Sequence, residues 1–142
     1  MIYLLDTNVV SEMRKPKPHG GVSAWLESLS NDDIRIPAVA IAELQSGVGM
    51  TRRQNPAKAL ELEKWIDRII ATFAVLPMDG STFRDWARLM FHKQSNLAAD
   101  AMIAATARAH RLIVATRNEK DFRDFDVQVF NPFTYTARER RI

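Results

Sequence analysis

The chain has 142 residues, 46% hydrophobic and 26% charged, which suits one globular domain with its own core and excludes disordered, collagen-like and disulfide-scaffold classes. It contains no cysteine, so thiolate zinc sites, disulfides and cysteine nucleophiles are excluded, and a reducing compartment, the cytoplasm, is the expected location. A net charge of +3 suits a polyanionic partner such as nucleic acid, and no apolar run approaches membrane-spanning length.

Tyr3 to Leu5 reads as a strand closed by Asp6-Thr7-Asn8, residues that favour helix N-caps, with a helical turn from Val9 to Arg14. Pro16, Pro18 and Gly20-Gly21 break the chain before Val22, Trp25, Leu26 and Leu29 recur at helical spacing. Ile34-Arg35-Ile36 alternates as a short strand, and Pro37 suits the first turn of a helix running through Ala42 and Leu44 to the punctuating Gly47 and Gly49. From Pro56, a long helix carries Leu60, Leu62, Trp65, Ile66, Ile69 and Ile70, followed by a strand from Ala74 to Leu76. Asp79 or Ser81 caps a helix expected to turn Phe83, Trp86, Ala87 and Met90 inward, and Ala98 to His110 forms an alanine-rich helix. Leu112 to Ala115 is a buried strand, a polar turn spans Thr116 to Asp121, and a last strand lies around Val127 to Phe130. This alternation predicts an α/β fold in one domain, residues 1–142, with a parallel sheet covered on both faces.

The acids are the informative feature. Asp6 is the only charge from Met1 to Ser11, Glu43 the only one between Ile36 and Met50, and Asp100 the only one between Gln94 and Ala107. A buried ionised carboxylate is costly unless a partner or cation compensates it. Capping explains Asp6 as well as chemistry does, and a helix N-terminal dipole accounts for Asp100. Glu43 falls mid-helix in a segment too apolar for a solvated face. Asp121 lies in the charged run from Arg117 to Asp124, yet it follows a strand as Asp6 does, and open parallel sheets bind ligands at the carboxyl ends of their strands. Gathered together, four carboxylates repel one another unless a cation sits among them. All-oxygen ligands suit Mg2+, with Mn2+ also suitable, and such an ion commonly holds a phosphate; His19, His92 and His110 have no ligand spacing.

These residues resemble the PIN-domain ribonucleases, and more closely the VapC-type toxins of toxin-antitoxin pairs, including the FitB-like branch. The likeness rests on Leu4-Leu5-Asp6-Thr7-Asn8-Val9, Ala42-Glu43-Leu44 with Gly47, Ala99-Asp100-Ala101-Met102-Ile103-Ala104-Ala105, Thr116-Arg117-Asn118-Glu119-Lys120-Asp121-Phe122 and the closing Asn131-Pro132-Phe133. It implies a PIN-like three-layer sandwich, a central mainly parallel sheet flanked by helices. Asp6, Glu43, Asp100 and Asp121 align with the family's catalytic, metal-binding acids, and Thr7, Thr116 and Asn118 with its polar supporting positions. The chain departs from the pattern at Arg111, where relatives often end a helix with glycine, and across Arg123 to Asp126, which lacks the glycine frequent before the last strand.

The implied chemistry is metal-assisted hydrolysis of an RNA phosphodiester, leaving 5′-phosphate and 3′-hydroxyl ends. The implied partners are RNA, a cognate DNA-binding antitoxin and a second copy of the chain, with no membrane. Of the basic residues Arg14, Lys15, Lys17, Arg52, Arg53, Arg117, Arg138, Arg140 and Arg141, only Arg117 adjoins the acids and is expected to contact RNA. Trp25, Trp65, Trp86 and Met90 fall on helical stripes and read as core or interface. Two other readings compete. A magnesium-dependent phosphatase with Asp6 as nucleophile would need a second aspartate where Asn8 stands, and a noncatalytic RNA- or partner-binding module would use the acids only as caps.

Overall fold

A computed structural model describes residues 1–137. The strands are β1 (Tyr3–Leu5), β2 (Ile34–Pro37), β3 (Ala74–Leu76), β4 (Ile113–Ala115) and β5 (Val129–Phe130). The helices are α1 (Thr7–Glu12), α2 (Gly20–Glu27), α3 (Ala38–Gln54), α4 (Pro56–Thr72), α5 (Gly80–Met90) and α6 (Ala98–His110). All strand pairs are parallel and the spatial order is β3-β2-β1-β4-β5, so β1 is central, with Leu4 opposite Arg35 on one side and Val114 on the other. The connection from β1 leads to β2 on one flank while β4 lies on the other. The carboxyl ends of β1 and β4 therefore border the crevice where open α/β sheets bind ligands.

Side chains alternate across each strand, and this divides the core into two layers. Leu5, Ile34, Ile36 and Ala115 pack with Val9, Trp25, Trp65 and Ile66 on one face. Leu4 and Val114 pack with Ala101, Ile103 and Ala104 of α6 and with Phe122 and Phe125 on the other. Each large side chain so buried contributes about 1.5–3 kcal/mol. Helices cover both faces, giving a three-layer α/β sandwich. Among the described residues no helix is long and apolar enough to cross a membrane.

Three expectations need correction. Gly47 and Gly49 do not end α3, which continues to Gln54; both are exposed, on either side of the buried Val48, and a Cβ at either would meet no neighbouring element within 4 Å. Packing of α3 on α4 outweighs the helix-propensity cost of about 1 kcal/mol per glycine. Leu60 and Ile70 are exposed, because α4 seats Ala59, Trp65, Ile66 and Ile69 instead. In α5 Phe83 and Ala87 also face outward; the buried residue there is Thr82, whose hydroxyl and N–H both donate to the capping Asp79 Oδ1.

The two departures from the family's glycine pattern coincide with left-handed backbone. Arg111 ends α6 at φ 55°, ψ 49°, and Asp126 takes φ 51°. Asp126 tolerates this as aspartate can, and its carboxylate accepts from Arg108 Nη1 at 3.1 Å. Arg111 is exposed and has no such compensation. Arg111→Gly is expected to stabilise the protein by about 1 kcal/mol, read as a higher denaturant midpoint at unchanged slope. An unchanged or lower midpoint would contradict the strain at this helix end.

Candidate functional site

Asp6 emerges directly from β1, where its N–H donates to the Ala115 carbonyl at 2.9 Å, and the chain turns at once into α1. Its carboxylate is 4% exposed and held on both oxygens. Oδ1 accepts from the Thr7 N–H at 2.7 Å; Oδ2 accepts from Thr116 Oγ1 at 2.7 Å and Asn8 Nδ2 at 3.3 Å. Asp6 is thus both the cap of α1 and a fixed member of the site. Burial pushes its carboxyl up; the bonds from Thr116 and Thr7 pull against that shift, and repulsion from Glu43 adds to it, with a net rise.

The supporting residues divide the work. Thr116, fully buried at the end of β4, donates to Asp6 and accepts from the Asn118 N–H at 3.0 Å. Asn118 therefore acts through its backbone, and its carbonyl accepts from the Asp121 N–H at 3.1 Å, closing the short 3-10 turn Glu119–Phe122 that carries Asp121. Phe122, 1% exposed, pins that turn to the core. Thr7 Oγ1 donates to Glu43 Oε1 at 2.6 Å, linking α1 to α3.

Glu43 is exposed, against the expectation drawn from its apolar surroundings. The scarcity of charge around it reflects an open, nearly uncharged helix face of Ala42, Gln45, Ser46 and Gly47, while α3 packs inward through Ala40 and Val48. Glu43 and Thr7 also line a cavity of about 220 Å³ together with Arg14, Leu44, Val48 and Trp65.

Asp100 sits half-buried in the first turn of α6. The Trp86 indole N–H donates to the Ala98 carbonyl at 2.9 Å, fixing that turn to α5. Its carboxyl is pushed up to about 7, first by burial and then by the charges of Asp6, Asp121 and Glu43. All four predicted acids therefore share one neighbourhood. Among the described residues, no Lys or Arg forms an ion pair with any of them. Nor, among the described residues, do three His, Asp or Glu side chains already stand arranged to hold a metal ion. The donor set, four carboxylates without a counter-charge, fits a hard divalent cation by its chemistry.

Two residues of the site escaped sequence reasoning. Asn8 bridges Asp6 to the Arg117 N–H, which donates to Asn8 Oδ1 at 3.3 Å; its place two residues after Asp6 in a capping turn was the available signal. Trp86 carried no signal beyond its helical stripe. Asn8 also removes support from the phosphatase reading, since its amide stands where that chemistry needs an acid and both Asp6 oxygens are engaged. The histidines behave as expected: His19 caps α2, His110 ends α6 and His92 is exposed. Lys15 and Arg52 pair with Glu12 and Glu63, while Arg138, Arg140 and Arg141 lie outside the described residues.

Comparison with known proteins agrees with this geometry. Residues 3–128 match the PIN domain family. The chain is 39% identical over 136 residues to toxin FitB of Neisseria gonorrhoeae, covering 92% of this chain and 97% of that one. It is 34% identical over 140 residues to VapC ribonuclease Y4jK of Sinorhizobium fredii, covering 92% and 96%. Among solved structures, FitAB bound to an IR36 DNA fragment is similar with a TM-score of 0.82 and 36% identity, covering 96% of this chain and 99% of that chain.

Proposed function

The chain belongs to the PIN-domain family, and from that premise we propose that it is a metal-dependent endoribonuclease, the toxin of a toxin-antitoxin pair, that hydrolyses RNA phosphodiester bonds. The observation that carries this reading is the gathering of Asp6, Glu43 and Asp121 around Asp100, with no ion pair to any of the four among the described residues. Asp6, Asp100 and Asp121 would hold the cation, with Glu43 as a further ligand or as the group that orients the attacking water. When bound, Mg2+ or Mn2+ lowers the pKa of coordinated water and offsets charge developing on the phosphate.

The protein's own part is positioning. Thr116, Asn8 and the Thr7 N–H fix both Asp6 oxygens, so the carboxylate cannot swing away when charge builds up beside it. The Thr7 hydroxyl aims Glu43 toward the same crevice, and the Asn118 turn presents Asp121. A partner segment lying in the cavity between α1, α3 and α4 would abut Glu43, which suits control by a cognate antitoxin, as do the likeness to FitB and to FitAB assembled on DNA. A homodimer in the cytoplasm completes the reading.

The test is cleavage of a panel of tRNA, ribosomal RNA and messenger RNA by the full chain in Mg2+, Mn2+ and chelator, with the ends mapped. Cutting that stops in chelator, returns with either cation and leaves 5′-phosphates is the expected result. Cutting unaffected by chelator, or intact RNA beside rapid hydrolysis of a small phosphate ester, would overturn it. Growth arrest on expression, relieved by a small neighbouring gene, separates a toxin from a processing nuclease.

A further inference from the structure

Near Asp6, to which Arg117 is tied through Asn8, two side chains from distant segments meet on the ring of a third. The Arg117 guanidinium carbon lies 4.6 Å from the centroid of Phe133, and the His19 imidazole packs on the same ring at 5.0 Å and 59°. Each member is anchored. The Arg117 backbone is tied through its N–H to Asn8, whose amide is bonded in turn to Asp6. Phe133 belongs to the turn Pro132–Thr134, fixed by its N–H donating to Asn131 Oδ1 at 2.9 Å. That turn rests directly on α2: a Cβ at Gly21 would fall 2.9 Å from the Pro132 carbonyl oxygen, so only glycine admits the contact. His19 is held by its N–H to the buried Glu12 at 2.8 Å, its Nδ1 accepts from the Gly21 N–H at 3.1 Å, and its Nε2 forms no hydrogen bond among the described residues.

Arg117 forms no ion pair among the described residues, although it is exposed next to an acidic crevice. An exposed arginine ordinarily samples many rotamers; seating on an aromatic face restrains it without occupying its N–H groups. A phosphate approaching four carboxylates is repelled, and a restrained guanidinium at the rim of the crevice offsets that repulsion while offering a planar pair of donors to phosphate oxygens.

We propose that Arg117, seated on Phe133 beside His19, forms a phosphate-binding subsite that receives the RNA strand immediately outside the acid cluster. This rests on the ribonuclease reading above and adds to it where the strand leaves the site. Arg117 makes the phosphate contact, Phe133 fixes its direction, and His19 with Glu12 keeps the ring in place. The subsite reads backbone and carries no sequence preference of its own.

The experiment measures binding of a fluorescent single-stranded RNA to the full chain in chelator, where the RNA stays whole, across a range of salt concentrations. Thermal unfolding of each variant is measured in parallel. Arg117→Ala is expected to weaken binding about 5- to 10-fold at low salt and to flatten the salt slope by about 0.7, the loss of one phosphate contact. Arg117→Lys should keep the slope but bind more weakly, since a lysine is not planar and does not pair two donors. Phe133→Leu, which retains apolar packing and the charge, should also weaken binding. Arg117→Ala matching the wild type in affinity and slope would overturn the proposal, whether its melting temperature falls, as for a structural brace, or it loses a protein partner instead. A wild-type chain that binds no RNA in chelator would likewise overturn this subsite, while the ribonuclease reading stands or falls separately on cleavage in Mg2+.

Discussion

Asp100→Asn is expected to lower RNA cleavage on the order of 10³-fold while raising the melting temperature of the metal-free protein. The first effect follows from removing the charge of a residue proposed to hold the cation: cation stabilisation of a developing phosphate charge is worth several kcal/mol, at about 1.4 kcal/mol per tenfold in rate. The second follows from the surroundings of Asp100, which is half-buried in α6 and faced by Asp6, Asp121 and Glu43. Asparagine keeps the shape and removes the repelled charge. Loss of activity together with a gain in stability marks a residue retained for chemistry. Cleavage equal to wild type would expose a contaminant or a misassigned site, and a fall in stability would show that Asp100 serves the fold.

In chelator, stability is expected to fall as pH rises from about 4 to about 7, and a divalent cation is expected to restore it. An unfolded aspartate titrates near 3.9, whereas the Asp100 carboxyl is pushed up to about 7 in the folded protein. Between these values the folded state keeps a proton that the unfolded state has released, so each step up in pH favours unfolding. Asp6, also raised, acts in the same direction. At pH 8 a cation at a hundredfold its dissociation constant adds about 2.7 kcal/mol, and at pH 5 it adds less because it must displace the proton. Thermal unfolding at pH 5 and 8, with chelator and with Mg2+, checks both. A melting temperature that rises with pH in chelator, or ignores Mg2+ at pH 8, would mean the four acids are not crowded as described.

Much of this was legible in the sequence where local chemistry and tertiary structure agree. The alternation of strands and helices agrees, and Ala98–His110 and Ala74–Leu76 have the expected bounds, because an alanine-rich run favours helix and a short apolar segment between a helix end and Pro77 favours a strand. The acids were visible because isolated charges in apolar stretches need a reason, and their order along the chain, with the neighbouring motifs, gave the family. The failures concern which way a helix faces. Glu43, Phe83, Leu60 and Ile70 were turned inward by their apolar neighbours, yet which stripe of α3, α4 or α5 meets the core depends on helix-to-helix packing that no single helix encodes. Asn8 and Trp86 were missed for a related reason, since each works through a residue on another element, Arg117 or Ala98.

The bond between Thr116 and Asp6 spans 110 positions of chain, and β1 needs β4 as its neighbour on one edge. Synthesis from the amino end delivers Asp6 well before its buttress, Thr116. A partly made chain thus carries its central strand half-paired and its acids unassembled, so on the ribonuclease reading proposed above the crevice cannot act until β4 has been made. The topology builds in a delay during which the antitoxin of the proposed pair could meet the newly completed crevice.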